Sequence, residues 1–316
     1  MTADQSEALF GAMLDGAMSD GEIAATLTEI ADRGESADDI VGAVRAMRAR
    51  MIGVNASQGA IDVCGTGGDG QHSLNVSTAV AIVVAACKVP VAKHGNRAAS
   101  SKAGGADTLE ALGLNLDRAT QTAEATLADL GICFLFAQKY HPALARIAPI
   151  RKALGRRTIF NLIGPLANPA GVERQLIGVP SPSLIPIYAD ALEQLGAARA
   201  MIVSGDEGLD EMSIAGPTQI MSIGFECAQQ IEPMAAGLSL FPLNAIAGGN
   251  PTYNAAALRR MVGGEAGAYR DAVLLNAAGA LIVAGRATDW QSGVEEAAEA
   301  IDRGLAKALL DCWIAY

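Results

Sequence analysis

Histidine, cysteine and aromatic residues are scarce in this sequence, and their scarcity excludes several classes of protein. The 316 residues include three histidines and five scattered cysteines, none of them in a C-x-x-C pair. We therefore expect reduced thiols, without a disulfide framework or a metal centre built on histidine or cysteine. The longest apolar run, residues 79–87, is much shorter than the roughly 20 residues that cross a bilayer.

Basic residues are also in the minority, because 23 lysines and arginines face 34 aspartates and glutamates, giving a net charge of −11. Such a surface does not attract a polyanion, so we expect no nucleic-acid partner and no membrane partner. The first 20 residues lack the basic segment of a signal peptide. These absences predict a soluble cytoplasmic protein.

The residues that are present predict two domains. Apolar residues make up 51 % of the chain, enough for a sizeable core. The first fifty residues have helical periodicity, with Ser19 and Ser36 as N-caps and Glu22 completing a capping box. We expect a small helical bundle that ends in a linker over residues 53–59.

Beyond the linker, predicted strands alternate with helices. Strands are predicted over 60–64, 89–92 and 201–203, and helices over 78–86, up to Gly113, and over 272–283. This alternation indicates parallel strands whose following loops meet at one edge of the sheet. The predicted fold class is α/β, with a small N-terminal helical bundle domain and a larger α/β domain containing a mainly parallel sheet.

The loop after the first predicted strand is rich in glycine. Gly65, Gly67, Gly68 and Gly70 remove side chains where the backbone must approach a ligand closely, and polar residues then lead into a helix. The free N–H groups of a helix N-terminus favour an anion, most often a phosphate. The alternative is an ordinary strand-to-helix turn with a capping hydroxyl, because such loops frequently bind nothing.

The loop after the next strand, residues 93–102, brings three cations, an amide and two hydroxyls to the same edge of the sheet. Its position favours anion binding over a solvated surface. For His94, a hydrogen-bonded structural role is the more common alternative.

Two further segments carry charge. The acidic turn 206–211 follows a predicted strand and contains Asp210 and Glu211. Paired carboxylates facing phosphate loops suit Mg²⁺, although acidic turns are usually only solvated. The basic segment 151–157 precedes Gly-Pro and Asn-Pro steps that look hinge-like, and its charges fit either a site or the surface.

Taken in order, these motifs resemble the anthranilate phosphoribosyltransferases over essentially the whole chain. The matching segments are GTGGD at 65–69, NVST at 75–78, KHGNR at 93–97 with serines at 100 and 101, RTIFNL at 157–162 with GPL at 164–166, and GLDE at 208–211. The resemblance implies transfer of the phosphoribosyl group of 5-phosphoribosyl 1-diphosphate to anthranilate, in tryptophan biosynthesis, by a Mg²⁺-dependent homodimer. It implies a nucleoside phosphorylase/phosphoribosyltransferase-like fold, with a helical domain over 1–58, a return segment at about 140–172, and an α/β domain over 59–139 and 173–316.

The resemblance also implies roles for individual residues. Anthranilate would contact Gly65, Asn96 and Arg151, and Mg²⁺ would be held by Ser77, Asp210 and Glu211. No general acid or base is assigned, because the aromatic amine is a neutral nucleophile that needs positioning above all. The phosphoribosyl donor would contact residues of both loops, namely Gly65, Gly68, Asp69, Ser73, Asn75, Val76, Ser77, Thr78, Lys93, His94, Gly95, Asn96, Arg97, Ala98, Ala99, Ser100, Ser101 and Gly105.

Two positions depart from the family pattern. Gly105 stands where the family commonly has serine, which bears on donor affinity, and Gln138 stands where proline is expected, which bears on acceptor selectivity. A pyrimidine nucleoside phosphorylase-like enzyme and a non-catalytic nucleic-acid-binding relative are the alternatives. Asn96, Arg97 and the Asp210–Glu211 pair argue against the phosphorylase, and the net charge of −11 with the intact acidic pair argues against the nucleic-acid-binding relative.

Overall fold

The computed structural model describes residues 1–98 and 101–316, so the predicted donor-site residues Ala99 and Ser100 lie outside the described residues. In the described residues the strands are β1 (Ile61–Gly65), β2 (Val91–Gly95), β3 (Ile132–Phe136), β4 (Arg174–Gly178), β5 (Arg199–Gly205), β6 (Thr218–Ile223) and β7 (Gln230–Ile231). The α-helices are α1 (Ala3–Asp15), α2 (Asp20–Arg33), α3 (Ala37–Arg48), α4 (Val76–Ala86), α5 (Gly105–Leu112), α6 (Leu116–Gln121), α7 (Ala123–Leu130), α8 (Ala137–Tyr140), α9 (Leu144–Leu154), α10 (Ile185–Gln194), α11 (Pro251–Val262), α12 (Ala268–Ala284), α13 (Trp290–Asp302) and α14 (Leu305–Ala315).

The N-terminal helices begin where their capping residues predict. Ser19 and Glu22 form a reciprocal capping box at the start of α2, and Ser36 forms one with Asp39 at the start of α3. Helices α1, α2 and α3 pack together with α9, which returns from the segment after β3. The predicted N-terminal helical bundle is therefore present, and α9 completes it.

The seven strands form one sheet in the order β3-β2-β1-β4-β5-β6-β7. The first five are parallel, and β6 and β7 are antiparallel additions at one edge, so the predicted mainly parallel sheet is confirmed. The strand order reverses direction between β1 and β4. In open α/β sheets the crevice at such a reversal, beyond the carboxyl ends of the strands, is the usual ligand site.

The second strand was predicted too early in the sequence. It covers Val91–Gly95 and not 89–92, because Pro90 has no N–H for the ladder and only its carbonyl bonds, to the Ile61 N–H. Lys93 and His94 are consequently strand residues, and the loop begins after Gly95. The strands β3, β4, β6 and β7 were not predicted.

Three hydrophobic clusters cover the two faces of the sheet, and the smallest packs against β2 and β3. Helices α4 and α12 pack together in the first core, and α4 is buried all round, as its nearly uninterrupted apolar sequence requires. The second core joins α10 to the N-terminal bundle, with Phe10, Ile40 and Tyr188 among its fully buried members. No helix in the described part of the chain is long and apolar enough to cross a membrane.

Candidate active site

The carboxyl ends of β1 and β4 leave room for the acidic turn. Gly65 and Gly178 are paired neighbours in the sheet, and Asp210 lies directly over both. A Cβ on Gly65 would lie 2.2 Å from Asp210 Oδ2, and one on Gly178 would lie 1.6 Å from the Asp210 carbonyl oxygen. Only glycine at both strand ends permits this approach.

Hydrogen bonds join the glycine-rich loop, the N-terminus of α4 and the acidic turn. The Gly67 N–H donates to Asp210 Oδ2 at 2.6 Å, and the Ser77 N–H donates to Glu211 Oε1 at 3.1 Å. Lys93 donates from Nζ to the Val63 carbonyl at 2.8 Å and lies 3.4 Å from Ser77 Oγ. The structure thus brings together three segments that are far apart in the sequence.

In the acidic turn, Asp210 is buried and Glu211 is half-buried. Burial, with repulsion from Asp69, raises the pKa of Asp210 to about 7. Burial and repulsion from Asp210 raise the pKa of Glu211 well above its usual value. Buried carboxylates perturbed in this way, in a cleft, are typical of a functional site.

These residues fit a magnesium ion that is shared with a phosphate. Glu211 Oε2 is buried and has no hydrogen-bond partner among the described residues. A cavity of about 20 Å³, room for one water-sized group, is lined by both carboxylates with Ser77 and Gly178. No three histidine, cysteine, aspartate or glutamate side chains cluster as a cage within residues 1–98 and 101–316. Mg²⁺ commonly takes only one or two carboxylates and completes its shell with water and substrate phosphate.

Lys93 and His94 lie on opposite faces of the sheet, because alternate strand residues point to opposite sides. The His94 N–H donates to Asp62 Oδ1, and His94 Nδ1 lies 3.1 Å from the Gly164 carbonyl. That carbonyl can only accept, so Nδ1 carries the proton. Burial and the neighbouring His141 lower the pKa of His94 to about 3, so the imidazole is neutral. Its side chain faces the return segment and not the glycine-rich loop.

Two exposed residues of the loop that follows β2, Asn96 and Arg97, make their contacts within the loop, with α5 and with Phe136. Arg97 donates to Asp107 at 2.8 Å and to Glu110 at 2.5 Å, both on α5, and its guanidinium lies over the ring of Phe136. Asn96 is exposed, and its Oδ1 accepts from the Arg97 N–H. In this arrangement Arg97 is held by carboxylates that a phosphate would have to displace.

Gln138, the position where proline is expected, reaches the same loop. Its Nε2 lies 3.4 Å from Asn96 Oδ1. Arg151 lies in the last turn of α9, where its Nη2 is 3.4 Å from Asn161 Oδ1 and its guanidinium lies over the Phe160 ring. Burial lowers the pKa of Arg151, but a guanidinium keeps its charge in proteins.

The remaining predicted donor-site residues line the first loop and the starts of α4 and α5. Gly68 has a φ of 75°, and Asp69 Oδ1 accepts from the Gln71 N–H. Ser73 forms an isolated bridge with Ala247. Gly105 begins α5, where a Cβ would lie 3.0 Å from Thr78 Oγ1. Glycine at 105 therefore avoids a close contact with the Thr78 hydroxyl.

Three residues of the site were not predicted from the sequence. Gly178 leaves room for the acidic turn. The only feature of the sequence that could have indicated this role is a glycine at the end of an apolar run. Asn276, on α12, accepts from the Met212 N–H and donates to the Met212 carbonyl, which fixes the chain directly after Glu211. Asp62 ties β1 to β2 and to Asn168 of the return segment. Its signal is a single charge inside an apolar strand.

The fold and the site define a class of protein, a glycosyl transferase built from a helical bundle domain and an α/β domain. The family model for the "Glycosyl transferase family, helical bundle domain" matches residues 1–51, and that for the "Glycosyl transferase family, a/b domain" matches residues 57–307. The second match alone covers more than half of the chain.

Among glycosyl transferases of this class, three proteins similar to this chain in sequence or structure share one activity. The chain is 64 % identical to the anthranilate phosphoribosyltransferase of Novosphingobium aromaticivorans, over 98 % of this chain and 95 % of the relative. The crystal structure of the Thermus thermophilus anthranilate phosphoribosyltransferase is similar with a TM-score of 0.93 at 40 % identity, covering 100 % of this chain and 95 % of that one. The Saccharomyces cerevisiae enzyme, solved with PRPP and Mg, has a TM-score of 0.90 at 28 % identity, covering 99 % and 93 %. The chain belongs to the anthranilate phosphoribosyltransferase family.

Proposed function

We propose that this chain transfers the phosphoribosyl group of 5-phosphoribosyl 1-diphosphate to the amine of anthranilate and releases diphosphate. The observation that carries the proposal is the meeting of the glycine-rich loop, Lys93 and the acidic pair at the point where the strand order reverses. The identity to anthranilate phosphoribosyltransferases over almost the whole chain favours this reaction over the phosphorylase and the nucleic-acid-binding alternatives.

The donor diphosphate is proposed to lie against the glycine-rich loop and the N-terminus of α4, beside the second loop. Backbone N–H groups and the positive end of the helix favour its charge. Ser77, Asp210 and Glu211 would hold Mg²⁺, which when bound neutralises charge on the diphosphate. Support comes from the buried Oε2 of Glu211, which has no hydrogen-bond partner in the described part of the chain, and from the PRPP and Mg present in the yeast enzyme.

The chemistry requires charge stabilisation and positioning. The bond from the anomeric carbon to the diphosphate oxygen breaks, the diphosphate leaves with the electron pair, and the amine nitrogen bonds to the same carbon and loses one proton. Lys93 and the helix N–H groups favour the departing charge. Arg151 is proposed to meet the carboxylate of anthranilate, with Gly65 and Asn96 beside the ring. No residue is assigned as acid or base.

The cellular setting is likewise proposed from family likeness. We infer a role in tryptophan biosynthesis, a homodimer and a cytoplasmic location. The domain division proposed above, with a helical domain over 1–58 and 140–172, is supported by the packing of α9 on α1 and α2. Light scattering of the purified chain measures the oligomeric state directly.

The direct test follows the loss of anthranilate fluorescence with 5-phosphoribosyl 1-diphosphate and Mg²⁺. The double variant Asp210→Asn, Glu211→Gln should lose turnover by about a thousandfold, because the cation site loses its charge. Asp206 and Glu207 are exposed in the same turn, so Asp206→Asn with Glu207→Gln is the matched control and should keep wild-type rates. A fully active Asp210/Glu211 variant would contradict the proposed metal site, and an inactive wild-type chain would contradict the proposed reaction.

A further inference from the structure

A network of buried side chains behind the donor loops converges on Asn75. Asn75 occupies the N-cap position of α4, but its side chain makes no capping hydrogen bond to that helix. An asparagine in this position usually accepts from the second or third N–H of its own helix. The Asn75 amide is therefore engaged elsewhere, and the start of α4 is left open.

Four residues hold Asn75. The Thr108 hydroxyl donates to Asn75 Oδ1 at 2.5 Å, and Asn254 Nδ2 donates to the same oxygen at 2.9 Å. Asn75 Nδ2 donates to the Ala103 carbonyl at 3.1 Å. The Tyr269 hydroxyl donates to the main-chain carbonyl of Asn75 at 3.1 Å. Both hydrogen bonds to Asn75 Oδ1 therefore come from outside the two donor loops.

The network has only one consistent orientation. Asn254 Oδ1 accepts from the Gly249 N–H at 2.7 Å, and a backbone N–H can only donate. Asn254 must then donate from its NH₂ group, and Asn75 Oδ1 accepts this hydrogen bond. Thr108 is 0 % and Asn254 2 % exposed, so water cannot replace either donor readily.

This arrangement joins the two donor loops. Asn75 ends the glycine-rich loop, which is the first donor loop. Ala103 ends the second donor loop, which connects β2 to α5. The first loop is also fixed from behind, where the Leu74 N–H donates to the Ile246 carbonyl and the Gly248 N–H donates to the His72 carbonyl, each at 2.8 Å. The Asn75 amide is thus a side-chain link between the loops.

We propose that Thr108 and Asn254 are positioning residues for the donor. They hold the Asn75 amide away from the N-terminus of α4 and keep the two loops in register. Without their hydrogen bonds, Asn75 Oδ1 is free to cap α4 and to compete with the diphosphate for the helix N–H groups. The inference rests on the donor site proposed above, and it concerns two residues that are buried behind that site.

Thr108→Val tests the proposal, with Thr108→Ser as its matched control. Valine keeps the shape of threonine and loses the hydroxyl, whereas serine keeps the hydroxyl and loses a methyl group. The KM for 5-phosphoribosyl 1-diphosphate should rise about three- to tenfold in Thr108→Val, the effect of one hydrogen bond. The KM for anthranilate and kcat should stay within about twofold, and Thr108→Ser should restore the donor KM.

An unchanged donor KM in Thr108→Val, or an equal rise of both KM values that serine does not reverse, would overturn the proposal. If near-UV circular dichroism shows that Thr108→Val is unfolded, Asn254→Asp is judged by the same limits. Aspartate still accepts from Gly249 but cannot donate to Asn75. Absence of turnover in the wild-type chain would refute the proposed function instead, so the two failures are distinguishable.

Discussion

Gly178→Ala should disable the acidic turn without changing any charged group. A methyl carbon at position 178 would lie 1.6 Å from the Asp210 carbonyl oxygen and 2.3 Å from the carbonyl carbon, and ordinary contact begins only at 3.4 Å. The chain at Asp210 and Glu211 would therefore have to retreat by about 2 Å. Both obstructing atoms belong to the backbone, so no side-chain rotation relieves the overlap.

The expected consequence is a large loss of turnover. The retreat would break the 2.6 Å hydrogen bond from the Gly67 N–H to Asp210. Misplacing a catalytic group by 1 Å can cost on the order of 100-fold in rate, so kcat should fall at least about 100-fold. The Mg²⁺ concentration for half-maximal activity should rise, and overpacking should lower the free energy of unfolding by about 1–3 kcal/mol. Anthranilate fluorescence across a Mg²⁺ titration and a thermal melt measure these quantities.

Two further glycines serve as comparisons. Gly53→Ala is the control, because a Cβ at Gly53 meets none of residues 1–98 and 101–316 within 4 Å, and it should match the wild type in every measurement. A Cβ at Gly65 would lie 2.2 Å from the Asp210 carboxylate, which can rotate, and 2.8 Å from the Asp210 carbonyl oxygen, a much smaller backbone overlap than at Gly178. Gly65→Ala should therefore lose activity with a smaller loss of stability. Wild-type kcat and Mg²⁺ dependence in Gly178→Ala would refute the reasoning.

Two other predictions concern stability. Burial disfavours ionisation of Asp39, but hydrogen bonds from Arg33 and Ser36 outweigh it and hold the pKa of Asp39 below its usual value. Its contribution is therefore complete above about pH 4 and is lost as the pH falls through the folded-state pKa. Asp39→Asn should lower the free energy of unfolding by about 1–2 kcal/mol at pH 7 in denaturant titrations, and a difference that does not shrink in acid would contradict this. Arg199 donates to the Val283 and Ile282 carbonyls at the end of α12, so Arg199→Ala should cost about 1–2 kcal/mol, against less than about 0.5 kcal/mol for the exposed Arg303→Ala.

The fold was predictable where one local signal decided the structure. The N-caps Ser19 and Ser36 predicted the starts of α2 and α3, and the apolar run from Thr78 predicted α4 as a helix. The strands β3 and β4 carried no comparable signal, because short apolar runs fit a buried helix equally well. β6 and β7 depend on antiparallel pairing with β5, which local sequence does not specify.

The site was predictable to the extent that it depends on strand ends. Parallel strands place their following loops at one edge, so the meeting of Gly65, Lys93 and Asp210 followed from topology. Topology did not predict the direction in which each side chain points. Beginning the second strand at residue 89 left His94 in a loop, whereas the register Val91↔Ile132 puts it on the face opposite Lys93. The link from Asn254 to Asn75 spans 179 residues, and no spacing rule reaches that far.

A net charge of −11 is compatible with two anionic substrates because the groups that line the cleft, and not the charge of the whole chain, decide which ions bind there. Glu211 faces the Ser77 N–H at the positive end of α4, and the ammonium of Lys93 favours its ionised form. Burial still raises the pKa values of Asp210 and Glu211, with repulsion from Asp69 acting on Asp210 and repulsion from Asp210 acting on Glu211, so both carboxyls keep their protons more readily than exposed ones unless a cation is bound. A divalent cation that arrived with the diphosphate would favour the ionised carboxylates and neutralise part of the charge on the diphosphate. Donor affinity should therefore depend steeply on Mg²⁺, and isothermal titration of 5-phosphoribosyl 1-diphosphate with and without the ion measures that dependence.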